Sequence, residues 1–213
     1  MQTVENTGRP RGRPGLTPEV REQALQAAGE LLAEKGLKGM QARTIASRAG
    51  LSVGSIYKLF GDIDDLIREL NLQTYRDIAV HHEAALDKAG LPETQVFDRV
   101  MVLARAYIEF VVTQNARWMA LLSFNSRHGA MAPREYRETE DALFGFVESV
   151  LAPAPGFADP RFRARAARAL WASVHGIVTV TLPNSAYDDP VADALDQIGM
   201  IAGGVIRDAA ARA

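Results

Sequence analysis

The spacing of apolar residues along this chain is the feature that most restricts its fold. Val20, Ala24, Ala28 and Leu31 recur at intervals of three and four, which places them on one face of a helix. The same spacing returns in later segments, and Pro or Gly residues separate one segment from the next. No stretch alternates with period two between hairpin turns, so the sequence predicts an all-α fold.

Start and stop signals predict nine helices. Thr17 is suited to cap the first of them, with Pro18 in the first helical position and Gly36 as the stop. The run Ile177 to Thr181 is rich in β-branched residues and could form a strand in isolation, but it continues the helical spacing of the residues before it. The predicted helices cover residues 18–35, 42–49, 52–60, 62–88, 94–114, 116–127, 133–151, 160–182 and 190–211.

The composition is that of a soluble globular protein. The chain has 213 residues, of which 47% are apolar and 23% charged, and its apolar runs are too short to span a bilayer. Cysteine is absent, which excludes disulfides, thiolate nucleophiles and Cys-bound zinc. The first residues carry charge where a secretory signal requires an apolar core, so we expect a cytoplasmic protein with no membrane partner.

Charge is distributed unevenly along the chain. Residues 1–60 hold nine Lys and Arg against five Asp and Glu, whereas the remaining residues hold 15 against 21. A basic amino-terminal part favours a polyanion such as nucleic acid, and an acidic remainder stays away from phosphate.

Two short predicted helices meet at the segment Ala49-Gly50-Leu51-Ser52, and this spacing is typical of a helix-turn-helix. On a helical wheel the second helix points Ile56 and Phe60 inward. Its outward face carries Gly54, Ser55 and Lys58. A helix that enters a DNA groove needs small residues near the groove floor and hydrogen-bond donors near the flanking phosphates, so this face is a candidate DNA-reading surface.

Residues 17–66 resemble the amino-terminal domain of the TetR family of bacterial transcriptional regulators. The pattern that carries the resemblance consists of Ala27, Gly36, Arg43, Ile45-Ala46, Ala49-Gly50-Leu51-Ser52, Gly54, Ile56-Tyr57, Phe60 and Leu66. The resemblance implies a three-helix DNA-binding domain at residues 17–62 and a larger helical ligand-binding and dimerisation domain at residues 63–213. Gln41, Leu59 and Ile63 depart from the pattern, because the family usually has a capping or phosphate-binding side chain at these positions.

The resemblance also assigns roles within the DNA-binding domain. It implies that Val53, Gly54 and Ser55 face bases, and that Arg43, Thr44, Tyr57 and Lys58 face the phosphate backbone. Residues 1–16 read as a disordered basic arm, whose Pro10-Arg11-Gly12-Arg13-Pro14 resembles an AT-hook for the minor groove; a solvated basic tail is the alternative. The predicted DNA-binding residues are Arg9, Arg11, Arg13, Arg43, Thr44, Ser52, Val53, Gly54, Ser55, Tyr57 and Lys58.

The carboxy-terminal part carries weaker signals. Trp171, His175 and Gly176 look like the Trp-His-Gly signature of one TetR-family regulatory domain, and core packing is the alternative role for the two rings. The predicted ligand-binding residues are Arg105, Tyr107, Glu109, Trp118, Phe144, Trp171 and His175, with Arg117 as a further polar candidate. The effector that they would bind is a small molecule of unknown identity.

The last predicted helix has an apolar stripe made of Val191, Leu195, Ile198, Ala202, Val205 and Ala209. Gly199, Gly203 and Gly204 lie beside this stripe and predict the close approach of another helix. The family resemblance implies that this helix belongs to a homodimer interface, although packing within one chain would produce the same stripe.

These observations predict a DNA-binding transcriptional regulator, a ligand-responsive repressor that binds a near-palindromic operator as a homodimer. Two alternatives stay open: an architectural DNA-binding protein without effector sensing, and an all-helical enzyme. We expect no enzymatic activity and no cofactor, because the sequence has no nucleophile elbow, phosphate loop or metal-ligand spacing. His81 and His82 diverge by about 100° on a helix, and we expect both at the surface.

Overall fold

A computed structural model describes residues 16–128, 131–183 and 188–212 of the chain. These residues form nine α-helices and no β-strand, which confirms the predicted all-α fold and the helical assignment of Ile177 to Thr181. None of the helices in these ranges is both long and apolar enough to cross a membrane. The elements are α1 (Pro18–Lys35), a 3-10 helix (Gly36–Gly39), α2 (Ala42–Arg48), α3 (Val53–Phe60), α4 (Ile63–Ala89), α5 (Val96–Thr113), α6 (Asn115–His128), α7 (Arg134–Leu151), α8 (Pro160–Thr181) and α9 (Pro190–Ala210).

The described residues divide into two compact units, the first ending at residue 66 and the second beginning at residue 67. The sequence places this boundary four residues earlier, between residues 62 and 63. Arg9, Arg11 and Arg13 of the predicted arm lie outside the described residues.

The first unit contains α1, α2 and α3. The hydroxyl of Thr17 accepts a hydrogen bond from the backbone N–H of Val20 at 3.5 Å, and Gly36, with φ of 60°, ends the helix. These are the two signals that the sequence indicates. The core of the unit consists of small and aliphatic side chains with Phe60, including Ala24, Ala28, Leu31, Ile45, Ala46, Ala49 and Ile56.

Gly50 shapes the turn that joins α2 to α3. Its φ of 64° lies in the left-handed region, which L residues other than glycine rarely adopt. Just beyond it, the backbone N–H of Leu51 donates to the carbonyl of Ala46 at 2.8 Å, and Ser52 caps α3. The turn therefore fixes where α3 begins and which of its faces is buried.

The second unit contains most of α4 together with α5 to α9. Within it, α8 packs against α7 and α9, and α5 packs against α9. Two apolar clusters fill the interior, one around Leu151 and Leu170 and the other around Ile108 and Ile198. Trp171 contacts both clusters, so its indole lies where the two halves of the core meet.

The glycines of α9 have different surroundings. A Cβ atom at Gly199 would lie 3.6 Å from the Met101 side chain, and one at Gly203 would lie 3.6 Å from the Phe97 ring, so these two glycines face α5 of the same chain. A Cβ atom at Gly204 would meet no atom within 4 Å. Part of the predicted close approach is therefore packing within one chain.

Candidate nucleic-acid interface

The candidate interface is the uncovered side of α3. Ile56 and Phe60 are buried, whereas Val53 and Tyr57 are 39% and 49% exposed. Gly54 and Lys58 are also exposed, and Ser55 is partly buried. The helix thus divides into the two faces that the wheel predicts, with a small, polar face open to solvent in the first unit.

Ser52 organises the amino end of α3. Its hydroxyl oxygen accepts a hydrogen bond from the backbone N–H of Ser55 at 3.1 Å, and the two hydroxyl oxygens lie 2.8 Å apart. The cap satisfies a backbone donor that would otherwise have no partner in the helix. It holds the two hydroxyls side by side, at the end of the helix whose dipole favours an anion.

A second part of the interface lies on α2. Arg43 and Thr44 line an open polar groove together with Lys35, Ser47 and Arg48. Arg48 donates to Glu34 at 2.7 Å and to Glu30 at 3.3 Å, and these hydrogen bonds raise the pKa of Arg48 and lower that of Glu34. Within the described ranges, Arg43 has no such ion pair, so its charge is available to a phosphate.

Arg21 holds the carboxyl end of α3 against α1, a role that sequence reasoning missed. Its guanidinium donates to the backbone carbonyl of Leu59 and lies 4.5 Å from the centre of the Phe60 ring. Nothing in the spacing of Arg21 distinguishes it from other charged residues of an exposed helix face. The contact makes the orientation of the recognition surface depend on a residue outside the helix-turn-helix.

The sequence departures at Gln41, Leu59 and Ile63 remain visible in the structure. The Gln41 side chain makes no capping hydrogen bond at the start of α2. Leu59 and Ile63 are partly buried and offer no side-chain hydrogen-bond donor. Contacts to phosphate on this side would therefore come from Tyr57 and Lys58.

Five of the predicted ligand-binding residues come together in the second unit. The indole N–H of Trp118 donates to the Tyr107 hydroxyl oxygen at 2.8 Å, and that oxygen lies 2.7 Å from Nδ1 of His175. The Trp171 ring centre lies 5.2 Å from that of Tyr107, and Phe144 meets Trp171 edge-on at 5.8 Å. Burial raises the pKa of Tyr107 and lowers that of His175, so both groups stay neutral at neutral pH.

The predicted charged candidates lie elsewhere. Arg105 and Glu109 are on the exposed side of α5, and a Glu109 carboxylate oxygen lies 3.8 Å from Nε2 of His81. Arg117 donates to the carboxylate of Asp77 at 2.6 Å. In the described part of the chain, no group of three or more His, Asp or Glu side chains could hold a metal ion.

The expectation that both adjacent histidines are at the surface is wrong for His82. Its side chain is 2% exposed, and its ring lies about parallel to Phe146 with centres 6.3 Å apart. Burial, with a smaller contribution from His81, lowers the pKa of His82 to about 4. A sequence signal was present, because Ile78, His82 and Leu86 follow the spacing of a buried helix stripe.

The fold of the first unit and the open face of α3 together define a protein of the helix-turn-helix class. The family model described as bacterial regulatory proteins, tetR family, matches residues 24–70. A second, described as tetracyclin repressor-like, C-terminal domain, matches residues 100–198. Together the two matches span more than half of the chain, and the chain belongs to the TetR family, as the sequence pattern predicts. Trp171, His175 and Gly176 lie within the second match, and the Trp-His-Gly subtype stays a prediction.

Relatives of known name agree with this assignment. The HTH-type transcriptional regulators Rv1816 of Mycobacterium tuberculosis and Mb1846 of Mycobacterium bovis are each 31% identical to the chain over 125 residues. The match covers 57% of this chain and 52% of either relative, so the chain matches about half the length of these curated relatives.

Solved structures share the fold. A protein of unknown function from Rhodococcus sp. RHA1 is 20% identical with a TM-score of 0.68, and the match covers 93% of this chain and 97% of that one. The TetR family transcriptional regulator PfmR from Thermus thermophilus is 17% identical with a TM-score of 0.59, and the match covers 84% and 96% of the two chains.

Proposed function

We propose that this protein is a ligand-responsive transcriptional repressor that binds a near-palindromic DNA operator as a homodimer. The observation that carries the proposal is the open face of α3, where Gly54 and the paired hydroxyls of Ser52 and Ser55 lie beside Tyr57 and Lys58. A small, uncharged surface suits close approach to base edges, and the flanking donors suit phosphates.

A homodimer supplies the second recognition helix that a palindrome requires. In the second unit, α8 leaves a stripe of small and apolar residues exposed at Ala169, Ala172, Gly176 and Val180. On α9, Met200 and Ile201 are 71% and 43% exposed. This apolar surface supports a contact with a second copy of the chain.

Selection of bound sequences from random double-stranded DNA tests the operator. We expect an enriched inverted repeat, and footprinting on that sequence should give a discrete protected segment. Uniform coverage without an enriched sequence would support the architectural alternative, and no binding to any duplex at low salt would contradict both.

A reporter gene controlled by the enriched repeat tests the sign of regulation, since a repressor should lower its expression.

A matched pair of lysine variants tests whether α3 makes the contact. Lys58 lies in the last turn of α3, and Lys88 lies in the last turn of α4. Lys58→Ala should weaken operator binding. It should also reduce the dependence of log K on log salt by about 1.8, since the dimer loses two phosphate contacts and each contributes about 0.9. Lys88→Ala removes the same charge and should leave the slope unchanged. Equal effects of the two substitutions would mean that only net charge matters.

A further inference from the structure

A cavity of about 40 Å³ lies inside the second unit, between α4, α5, α7 and α8. Aliphatic side chains such as Leu103 and Leu170 form most of its wall. The rings of His82, Tyr107 and Trp171 form the rest, and their centres lie 5.2 to 6.4 Å apart. A wall of this composition favours an apolar molecule, and its rings favour another aromatic ring.

His82 is a polar group of this wall that is buried without a hydrogen bond in the described ranges. The Tyr107 hydroxyl already accepts from Trp118 and is paired with His175. Neither ring nitrogen of His82 has a hydrogen-bond partner in the described part of the chain, although the side chain is 2% exposed. Leaving a buried polar group without a partner is costly, so the arrangement calls for a molecule that hydrogen-bonds to the imidazole.

The charge of the wall restricts that molecule further. Among the residues that the structure describes, no Asp, Glu, Lys or Arg side chain lines the cavity. Transfer of an ion from water into such a wall is unfavourable without a partner of opposite charge. A hydroxyl group suits a neutral imidazole because it can donate to one ring nitrogen or accept from the other, whichever tautomer is present.

The size of the cavity connects binding to a change of conformation. A volume of about 40 Å³ holds roughly three or four water molecules, since one water needs about 10–15 Å³ on this measure. A six-membered ring therefore needs the walls to separate. A ligand that binds the widened state more tightly than the closed one shifts the equilibrium between them, which is the property that an effector requires.

We propose that this cavity binds a small uncharged aromatic molecule with one hydroxyl group, a simple phenol, through a hydrogen bond to His82. The proposal rests on the ligand-responsive part of the proposed function, and it names the chemical class and the recognising side chain.

Three probes with the same methyl-substituted ring test the ligand class on the unaltered protein: p-cresol with a hydroxyl, toluene without one, and p-toluate with a charge. Calorimetry without DNA should rank p-cresol first and toluene about fivefold weaker, because one net hydrogen bond of ~1 kcal/mol corresponds to that ratio. For p-toluate we expect no measurable binding. Absence of p-cresol binding, equal affinities for p-cresol and toluene, or a preference for p-toluate would overturn the proposal.

Variants test the site. His82→Leu removes the hydrogen bond but keeps an apolar wall, and it should reduce the affinity for p-cresol to that for toluene. His81→Gln, one residue away and half exposed, is the matched control and should keep the fivefold ratio. Ala104→Leu fills the cavity and should abolish binding of both probes. Undiminished p-cresol binding by Ala104→Leu, or an unchanged ratio in His82→Leu, would assign the ligand to another place.

Operator affinity measured with and without p-cresol separates this proposal from the function on which it rests. Selective p-cresol binding that leaves operator affinity unchanged supports the site and contradicts a ligand-responsive regulator. Tight operator binding by a protein that binds none of the three probes overturns the site, while DNA recognition stands.

Discussion

At the scale of single residues, Tyr107 joins three helices of the second unit. Its hydroxyl on α5 accepts a hydrogen bond from Trp118 on α6 and pairs with His175 on α8. Because burial raises the pKa of the phenol and lowers that of the imidazole, a change of pH near neutrality leaves this connection intact. A substitution of Tyr107 would leave two further polar groups without their partner.

His82 should make the protein less stable in mild acid. Burial lowers its pKa from 6.5 in a model peptide to about 4 in the folded protein. Below pH 6.5 His82 therefore binds a proton in the unfolded chain but stays neutral in the folded one down to about pH 4. The free energy of unfolding should fall by about 2 kcal/mol between pH 7 and 5. Urea unfolding of the unaltered protein and of His82→Leu measures this difference. His175, whose pKa burial also lowers, contributes in the same direction.

His81→Gln is the control for the pH measurement, because the His81 side chain is 43% exposed. This variant should keep most of the loss of stability between pH 7 and 5. If His82→Leu loses as much stability in acid as the unaltered protein does, the assignment of the effect to His82 is wrong.

Gly54→Ala should stabilise the protein and weaken DNA binding together. A Cβ atom at this position would have Ser52 Oγ at 3.9 Å as its nearest neighbour, so the new methyl group fits without a clash. Alanine improves helix propensity by up to ~1 kcal/mol. The methyl group would lie on the face that is proposed to meet base edges, and we expect operator affinity to fall about tenfold, equivalent to ~1.4 kcal/mol. Thermal unfolding and a binding titration measure the two effects.

Gly145→Ala is the matched control for this substitution, because Gly145 is also a helical glycine and an added Cβ there would meet no atom within 4 Å. It should stabilise α7 to a similar degree and leave operator affinity unchanged. A Gly54→Ala protein with full operator affinity would contradict direct contact between this face and DNA.

At the scale of helices, the ends were more predictable than the faces. The helix α1 begins after Thr17, at Pro18, and ends before Gly36, as the sequence predicts. These ends are predictable because capping and helix termination depend on a few neighbouring residues. The neighbours of a helix face depend on distant parts of the chain. The sequence predicts that Tyr107, Trp118, Trp171 and His175 belong to one site. It wrongly predicts that His82 is at the surface, because the helices that bury His82 come from distant parts of the chain. Likewise, the spacing of the three glycines in α9 does not predict which helix they approach, and in the structure two of them face α5.

Gln41→Ser should strengthen the start of α2. The backbone at Gln41 has φ of −116° and ψ of 135°, the extended conformation of an N-cap, but its side chain accepts no hydrogen bond. A serine hydroxyl there can accept from a free backbone N–H, and the free energy of unfolding should rise by about 0.5–1 kcal/mol. The urea midpoint measures the change. Ser52→Ala, which removes the existing cap of α3, should lower the free energy of unfolding by a similar amount. A urea midpoint that neither substitution changes would show that neither cap limits stability.

At the scale of the whole molecule, the proposed function requires two copies of the chain. The uncovered stripes on α8 and α9 consist of small or aliphatic residues, of which Val180 and Met200 are 66% and 71% exposed. Gly204, near these residues along α9, has open space around its Cβ position. A helix from a second copy could pack closely there.

Gly204→Arg should separate association from folding. A long charged side chain at this position would stand in the proposed interface, and light scattering should detect a monomer at concentrations where the unaltered protein is a dimer. Gly145→Arg places the same side chain at an exposed helical glycine of α7 and should leave the dimer intact. A dimeric Gly204→Arg protein, or one whose helical content is lost, would contradict the assignment of this face.

The different surroundings of Gly199 and Gly204 on α9 also affect how the sequences of two duplicated copies of such a protein can diverge. Residues around Gly199 are constrained by Phe97 and Met101 of their own chain, whereas the surroundings of Gly204 are free of that constraint. After gene duplication, one side of the helix could therefore accumulate changes while the other is held constant. With the proposed dimer interface on that side, sister copies in one cell could in this way lose the ability to mix subunits without either losing its fold.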